Sequence, residues 1–223
     1  MNSLLQSNQR TKLDATTDTL FYETPRFVTH VDEGFIQQLT DLYRERLQPG
    51  SRILDMMSSW VSHLPEEMIF EWVEGHGMNA EELVRNPRLD HYFVQNLNEN
   101  DSLPLADQSF DAVLNTVSVQ YLQYPEAVFT EIYRILKPGG IAIISFSNRM
   151  FYQKAIAAWR DSTEAQRVEL VKRYFQSVSG FGTPEVIEKP STVPPFLQML
   201  GMAGSDPFYA VIAERMELLV GRE

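Results

Sequence analysis

Residues 110–147 constrain the fold of this chain more than any other part of it. The stretch 110-FDAVLNT-116 reads as a strand, and a loop follows it. In 125-PEAVFTEIYRILKPGG-140 a helix's start, face and stop agree. Pro125 lies near the beginning, Val128, Ile132, Ile135 and Leu136 share one side, and Lys137 precedes Pro138-Gly139-Gly140. Next, 141-IAIISFS-147 is a continuous apolar run, the pattern of a strand buried on both faces. Strand, crossover helix and strand at these lengths imply right-handed connections and a mostly parallel sheet.

The flanking segments extend the same alternation. Phe35, Leu39, Leu42, Tyr43 and Leu47 follow helical spacing, Gln48-Pro49-Gly50 ends that helix, and 52-RILDM-56 is the first strong strand. A second strand is expected in 68-MIFEWVEG-75, a short helix in 79-NAEELVRNP-87 and a third strand in 91-HYFVQNL-97. Residues 152–176 read as helix in two pieces, 184–191 holds a short strand, and 207–216 a final one. The late strands add antiparallel pairing at the end of the sheet. The fold class is therefore α/β: Rossmann-like, doubly wound, mostly parallel and seven-stranded with a late antiparallel strand. The expected organisation is a single domain over 1–223, with 1–48 as an N-terminal cap or lid. Residues 1–18 are polar and are expected to be frayed or loosely docked.

Composition excludes several function classes. There is no cysteine among the 223 residues, which removes disulfides, thiolate nucleophiles and cysteine metal sites, and makes a reducing cytoplasm the simplest location. The four histidines show no metal-ligand spacing, so no metal is expected. A formal charge of −11 with no basic run makes nucleic acid a poor partner. No apolar run approaches the ~18 residues of a membrane span, and the beginning of the chain lacks the apolar core of a secretory signal. A small-molecule partner is the expectation that survives; composition carries nothing on oligomeric state.

The segment 103-LPLADQSFDAVLNTVSVQYLQYPEAVFTEIYRILKPGGIAIISFSN-148 resembles the second half of a class I S-adenosylmethionine-dependent methyltransferase, of the small-molecule kind called type 11. Leu103, Pro104, Asp107, Ser109, Phe110 and Asp111 match the family's approach to its fourth strand. Arg134, Leu136, Pro138, Gly139 and Gly140 match its approach to the fifth. The resemblance covers roughly residues 50–150. It implies S-adenosylmethionine as cofactor and methyl transfer as activity.

Laid on that pattern, Leu54-Asp55-Met56-Met57-Ser58-Ser59-Trp60-Val61 becomes the first strand and its cofactor loop, with the family's three glycines replaced by Met57, Ser59 and Val61. Gly77 stands where the family ends its second strand in a ribose-binding acid, and Asn96 where an Asp binds the adenine amino group. A lost hydrogen bond to a charged group costs ~1.5–3 kcal/mol, or ~10–100-fold in affinity, and a non-glycine residue held at positive φ costs ~1–2 kcal/mol more. Against these losses, Ser58 and Ser59 supply hydroxyls and backbone N–H groups, and 75-GHGMN-79 supplies two glycines for close backbone contact.

The cofactor candidates implied are Asp55, Met57, Ser58, Ser59, Gly77, Met78, Asn79, Asn96, Leu97 and Asn115. Tyr22 and Arg26, in the aromatic-rich segment 20–32, face substrate if that segment is a lid; Asn115 and Tyr121 follow the fourth strand, where substrate contacts come in this family. His63 is the histidine nearest the loop and the candidate proton acceptor, with Tyr121 second. Trp60 reads as core or as cleft wall, and the charged helix at 161–173 as a solvated face. Two other readings stand beside methyl transfer: a non-catalytic binding module that has lost or weakened cofactor binding, and an α/β enzyme using another nucleotide, which lacks its glycine pattern here.

Overall fold

The computed structural model describes residues 4–191 and 205–217. Along the chain lie α1 (Asp18–Phe21), α2 (Glu33–Arg46), β1 (Arg52–Met56), β2 (Trp72–Gly77), α3 (Ala80–Val84), β3 (His91–Val94), β4 (Phe110–Thr116), α4 (Pro125–Ile135), β5 (Leu136–Phe146), α5 (Ala157–Arg160), α6 (Glu164–Gln176), β6 (Glu185–Lys189) and β7 (Phe208–Glu214). One seven-stranded sheet has the order β3-β2-β1-β4-β5-β7-β6. β1 to β5 pair in parallel, while β7 runs antiparallel between β5 and β6. The expected fold class is the one observed.

Period-two alternation sorts the core onto the two faces of the sheet. Ile53, Ala112, Leu114 and Ile143 pack with Phe35, Leu39, Leu42 and Tyr43 of α2. Leu54, Val113, Ala142 and Ile144 pack on the other face with Phe129 and Ile132 of α4 and Val171 and Phe175 of α6. Asp32 caps α2 by accepting from Phe35 N at 2.8 Å.

Several boundaries differ from the sequence reading. The second strand begins at Trp72 rather than Met68, because β1, its partner, begins at Arg52 and the register pairs Arg52 with Trp72. It then runs on to Gly77. The third strand stops at Val94, opposite Gly77, where β2 itself ends. The motif Lys137-Pro138-Gly139-Gly140, expected as the stop after a helix, lies inside β5. The register shifts there and Gly139 takes φ 79°, so the glycine makes a bulge rather than a terminator. The two-piece helix is observed as α5 and α6, and part of the connection between β6 and β7 lies outside the described residues.

Residues 4–18, expected to be frayed or loosely docked, are instead packed onto the domain. Leu5 is buried, Arg10 pairs with Glu126 on α4, and Lys12 pairs with Asp18 at 2.5 Å. Lys154, with no exposed surface, donates to Thr16 O at 2.7 Å and lies 3.1 Å from an oxygen of Asp14. Asn98 donates to Asp18 at 2.8 Å. A buried lysine needs such a set of oxygen partners, and here most of them come from the arm.

Gly77 is a packing requirement. A Cβ on it would lie 2.6 Å from the backbone oxygen of Ser58. Gly77→Ala is expected to cost about 1–3 kcal/mol, read as a lower denaturant midpoint. Gly75→Ala is expected to cost less, because its Cβ meets the end of the movable Leu89 side chain.

Candidate functional site

Strand order reverses direction between β1 and β4, and in open α/β sheets ligands bind outside the carboxyl ends of strands at such a point. A cavity of about 140 Å³ lies there. Its floor is Asp55, at the end of β1, together with the loop that follows.

That loop is bolted to β2. Met57 N donates to His76 Nδ1 at 3.1 Å, and Ser58 N to His76 O at 2.6 Å. Because Nδ1 accepts, the imidazole proton is on Nε2, which donates to Gln95 O at 3.0 Å. Complete burial lowers the pKa of His76 to about 4, so the ring is neutral and its tautomer fixed. Met57 takes φ 57°, a conformation usually left to glycine. His63 (φ 52°) and Val117 (φ 50°) line the same cavity in the same unfavourable region. Val117 is β-branched, which makes it a true outlier. Backbone strain of this kind concentrates where a ligand is held.

Asp55 accepts from Ser58 Oγ at 2.5 Å. Burial raises its pKa to about 6, against the ordinary 3.8, with the Ser58 and Ser62 hydroxyls opposing the rise. Ser59 Oγ donates to Glu82 Oε2 at 2.7 Å, and Glu82 Oε1 accepts from Arg26 N at 2.6 Å. Glu82, only 8% exposed, thus brings a carboxylate to the cavity from α3. Asn86 fixes the loop from behind through Ser59 O (3.0 Å) and Ser62 Oγ (2.8 Å).

Of the residues singled out from the sequence, Tyr22, Arg26, Asp55, Met57, Ser58, Ser59, His63, Gly77, Met78, Asn79 and Tyr121 all line this one cavity, as does Trp60. Three do not. Asn115 has no exposed surface and reaches back to Met56 O at 3.4 Å between β1 and β4. Leu97 is core. Asn96 accepts from Asn98 N at 3.0 Å and borders a separate groove shared with Lys12, Asp14 and Asp18 of the arm.

Within the cavity some side chains are already committed. Asn79 Oδ1 caps α3 through Glu81 N (2.9 Å) and Glu82 N (3.1 Å), while its Nδ2 donates to Tyr22 O and Glu23 O, tying the arm down. Tyr121 OH accepts from Phe151 N at 2.8 Å, and burial raises its pKa to about 12. At neutral pH it is a proton donor and not a base. Burial lowers the pKa of His63, so this ring is neutral and able to accept a proton. Arg26 donates from Nη2 to Phe21 O at 2.9 Å, and its buried Nη1 has no partner. Glu82 and His76 were not singled out from the sequence. Glu82 stands three residues after a capping Asn, but nothing in that spacing tells that its carboxylate turns toward the cavity. Among the described residues no cluster suited to a metal ion occurs, and no helix is long and apolar enough to cross a membrane.

Residues 74–144 match the family described as methyltransferase domain. Among curated relatives, the biotin biosynthesis bifunctional protein BioHC of Teredinibacter turnerae is 38% identical over 64 residues, 29% of this chain and 11% of that protein. The malonyl-[acyl-carrier protein] O-methyltransferase of Hahella chejuensis is 27% identical over 114 residues, 49% of this chain and 40% of that one. The matches therefore span less than half the length of these relatives. Among solved structures, the [4+2]-cyclase SpnF superposes with a TM-score of 0.57 at 18% identity, covering 80% of this chain and 81% of that one. Phosphoethanolamine N-methyltransferase 2 of Haemonchus contortus, in complex with S-adenosyl-L-methionine, gives 0.55 at 19% identity over 81% and 52%. At these identities the likeness is one of fold. The family match covers about a third of the chain, residues 74–144, and the seven-stranded sheet is the fold shared with the methyltransferase structures.

Asp55 provides a pH test. Folded Asp55 holds its proton more tightly than in the unfolded chain, so the stability it confers is fully present below pH ~4 and is lost as pH rises to ~6. Relative to Asp55→Asn, the wild-type protein is expected to lose about 3 kcal/mol across that window. Urea unfolding of both at several pH values reads this directly; parallel curves would contradict it.

Proposed function

We propose that this protein binds S-adenosylmethionine at the β1–β4 switch point and transfers its methyl group to a small-molecule acceptor. The observation that carries this reading is the loop at 57–59, held against a β2 glycine and floored by a buried acid at the carboxyl end of β1. Ser58, Ser59 and the Gly77–Met78 backbone would hold the methionine end, with Asp55 and Glu82 facing its amino group. Asn96, in the groove beside it, would take the adenine edge as the resemblance implies. The sulfonium supplies an activated methyl group when bound, so this chain's share is alignment and exclusion of water. Tyr22, Tyr121, Phe151 and Trp60 wall the cavity on the acceptor side. His63, neutral at pH 7, would accept a proton from a hydroxyl or amine acceptor.

Ligand sites of nucleotide size occupy about 300–1,000 Å³, so the 140 Å³ space holds one end of the cofactor and not the nucleoside. The arm must therefore swing from its place between Asn96 and Gly77 for loading, then close as a lid. Residues 1–48 act as that cap within one domain. The cysteine-free sequence and the charge of −11 fit a cytoplasmic enzyme that acts on neither nucleic acid nor membrane.

The cavity also supports a second reading, a binding module that keeps the fold without methyl transfer. Formation of S-adenosylhomocysteine from S-adenosylmethionine, in a screen of hydroxyl, amine and carboxyl acceptors, separates the two. Turnover with any acceptor is expected; binding of the cofactor with no turnover favours the module. Asp18→Ala, which removes the arm's bond to Asn98 and its ion pair with Lys154, is expected to speed association of S-adenosylhomocysteine about 5–10-fold in stopped-flow fluorescence. An unchanged association rate would contradict a gating arm.

A further inference from the structure

The geometry points to Arg26 as the anchor for a carboxylate on the acceptor, so that the substrate is a small organic acid with an apolar body. This assignment rests on the methyl-transfer reading and names the substrate class within it. The guanidinium is packed between rings, with Cζ 4.5 Å from the centroid of Phe21, 5.4 Å from Phe151 and 5.7 Å from Tyr22. Stacking of this kind covers the faces of a guanidinium and leaves its edges for planar, paired acceptors. One edge is spent on Phe21 O through Nη2, and Nη1 is buried with no acceptor. A buried charged donor without a partner is costly and is uncommon outside functional sites.

The neighbouring carboxylate does not fill that role. Glu82 accepts from the backbone N of Arg26 and from the Ser59 hydroxyl, and not from the guanidinium. The cation is also placed toward the acceptor side. Phe151, which stacks on Tyr121 at 6.0 Å, follows β5, whereas the cofactor loop follows β1. Around it the wall is mainly apolar, with Val28, Val31, Met57, Trp60 and Val61. The mainly apolar lining beside the cation suits an acid whose body is one ring or a short chain.

Phenylacetate and phenylacetamide, equal in shape and different in charge, are the probes. Their binding to the full chain is measured by ligand-observed NMR, with and without S-adenosylhomocysteine, for the wild type, Arg26→Met and Arg26→Gln. Phenylacetate is expected to bind at least ~10-fold more tightly than the amide, and both variants to lose that preference. Affinity for S-adenosylhomocysteine is expected to stay within about threefold in the variants, because the cofactor uses the other end of the cavity. Absence of a preference in the wild type, including failure of both probes to bind, overturns the assignment without any variant. A preference that survives in both variants overturns it as well. If phenylacetate and S-adenosylhomocysteine exclude one another and the variants weaken the latter by a similar factor, Arg26 holds the cofactor's own carboxylate and the proposal is wrong. A wild type that shows the preference but takes no S-adenosylhomocysteine would remove the methyl-transfer reading while leaving the acid site standing.

Discussion

Everything at the candidate site depends on how closely residues 57–58 approach the end of β2. Glycines in a cofactor loop serve to bring backbone near a ligand or a neighbouring strand. Here the loop has none, and the missing space is provided from the other side, by Gly77, whose absent Cβ would lie 2.6 Å from Ser58 O. His76 then locks the approach with its own backbone and ring, both bonded to the loop. The strain that glycine would have avoided remains at Met57, and the surrounding bonds hold it. A substituted loop is therefore a rearranged one, with the glycine and the polar contacts moved onto β2 and α3.

The same logic accounts for the acid. Where the resemblance expects a carboxylate at the end of β2, a side chain longer than hydrogen would collide with the loop, so Gly77 is compulsory. Glu82, in the first turn of α3, brings a carboxylate back to the cavity, and Asn79 caps that helix while gripping the arm. The arm in turn is held at its far end by Lys154 and Asn98. Loop, helix and arm form one bonded system.

Much of this was legible in the sequence where information is local. The β4–α4–β5 unit could be read because period-two and helical spacings, Pro125 and the apolar run at 141–147 agree, and Asp55 with residues 57–59 lines one cavity. Legibility failed where a residue's role depends on what lies across space. Pro138-Gly139-Gly140 looks like a helix stop, yet bulges within a strand because Phe110 pairs with Leu136 before it. Asn115 lies near the end of β4 and Leu97 in the loop after β3, but whether a side chain points up to the ligand or down into the core is not a property of position alone. The polar composition of residues 1–18 suggested fraying; among the described residues Arg10 instead pairs with Glu126, Asp14 with Lys154 and Lys12 with Asp18, which also accepts from Asn98. His76 gave no signal at all, since a buried neutral histidine and a solvent-exposed one look alike in sequence.

The central claim is that a loop without glycine, rebuilt on Gly77, His76 and Asp55, still holds S-adenosylmethionine. Calorimetric titration of the folded protein with S-adenosylmethionine at neutral pH tests it most directly. Saturable, one-site binding with a dissociation constant below ~100 μM, worth more than ~5 kcal/mol, is the expected result. No heat at millimolar cofactor, from protein whose unfolding is cooperative, would contradict it.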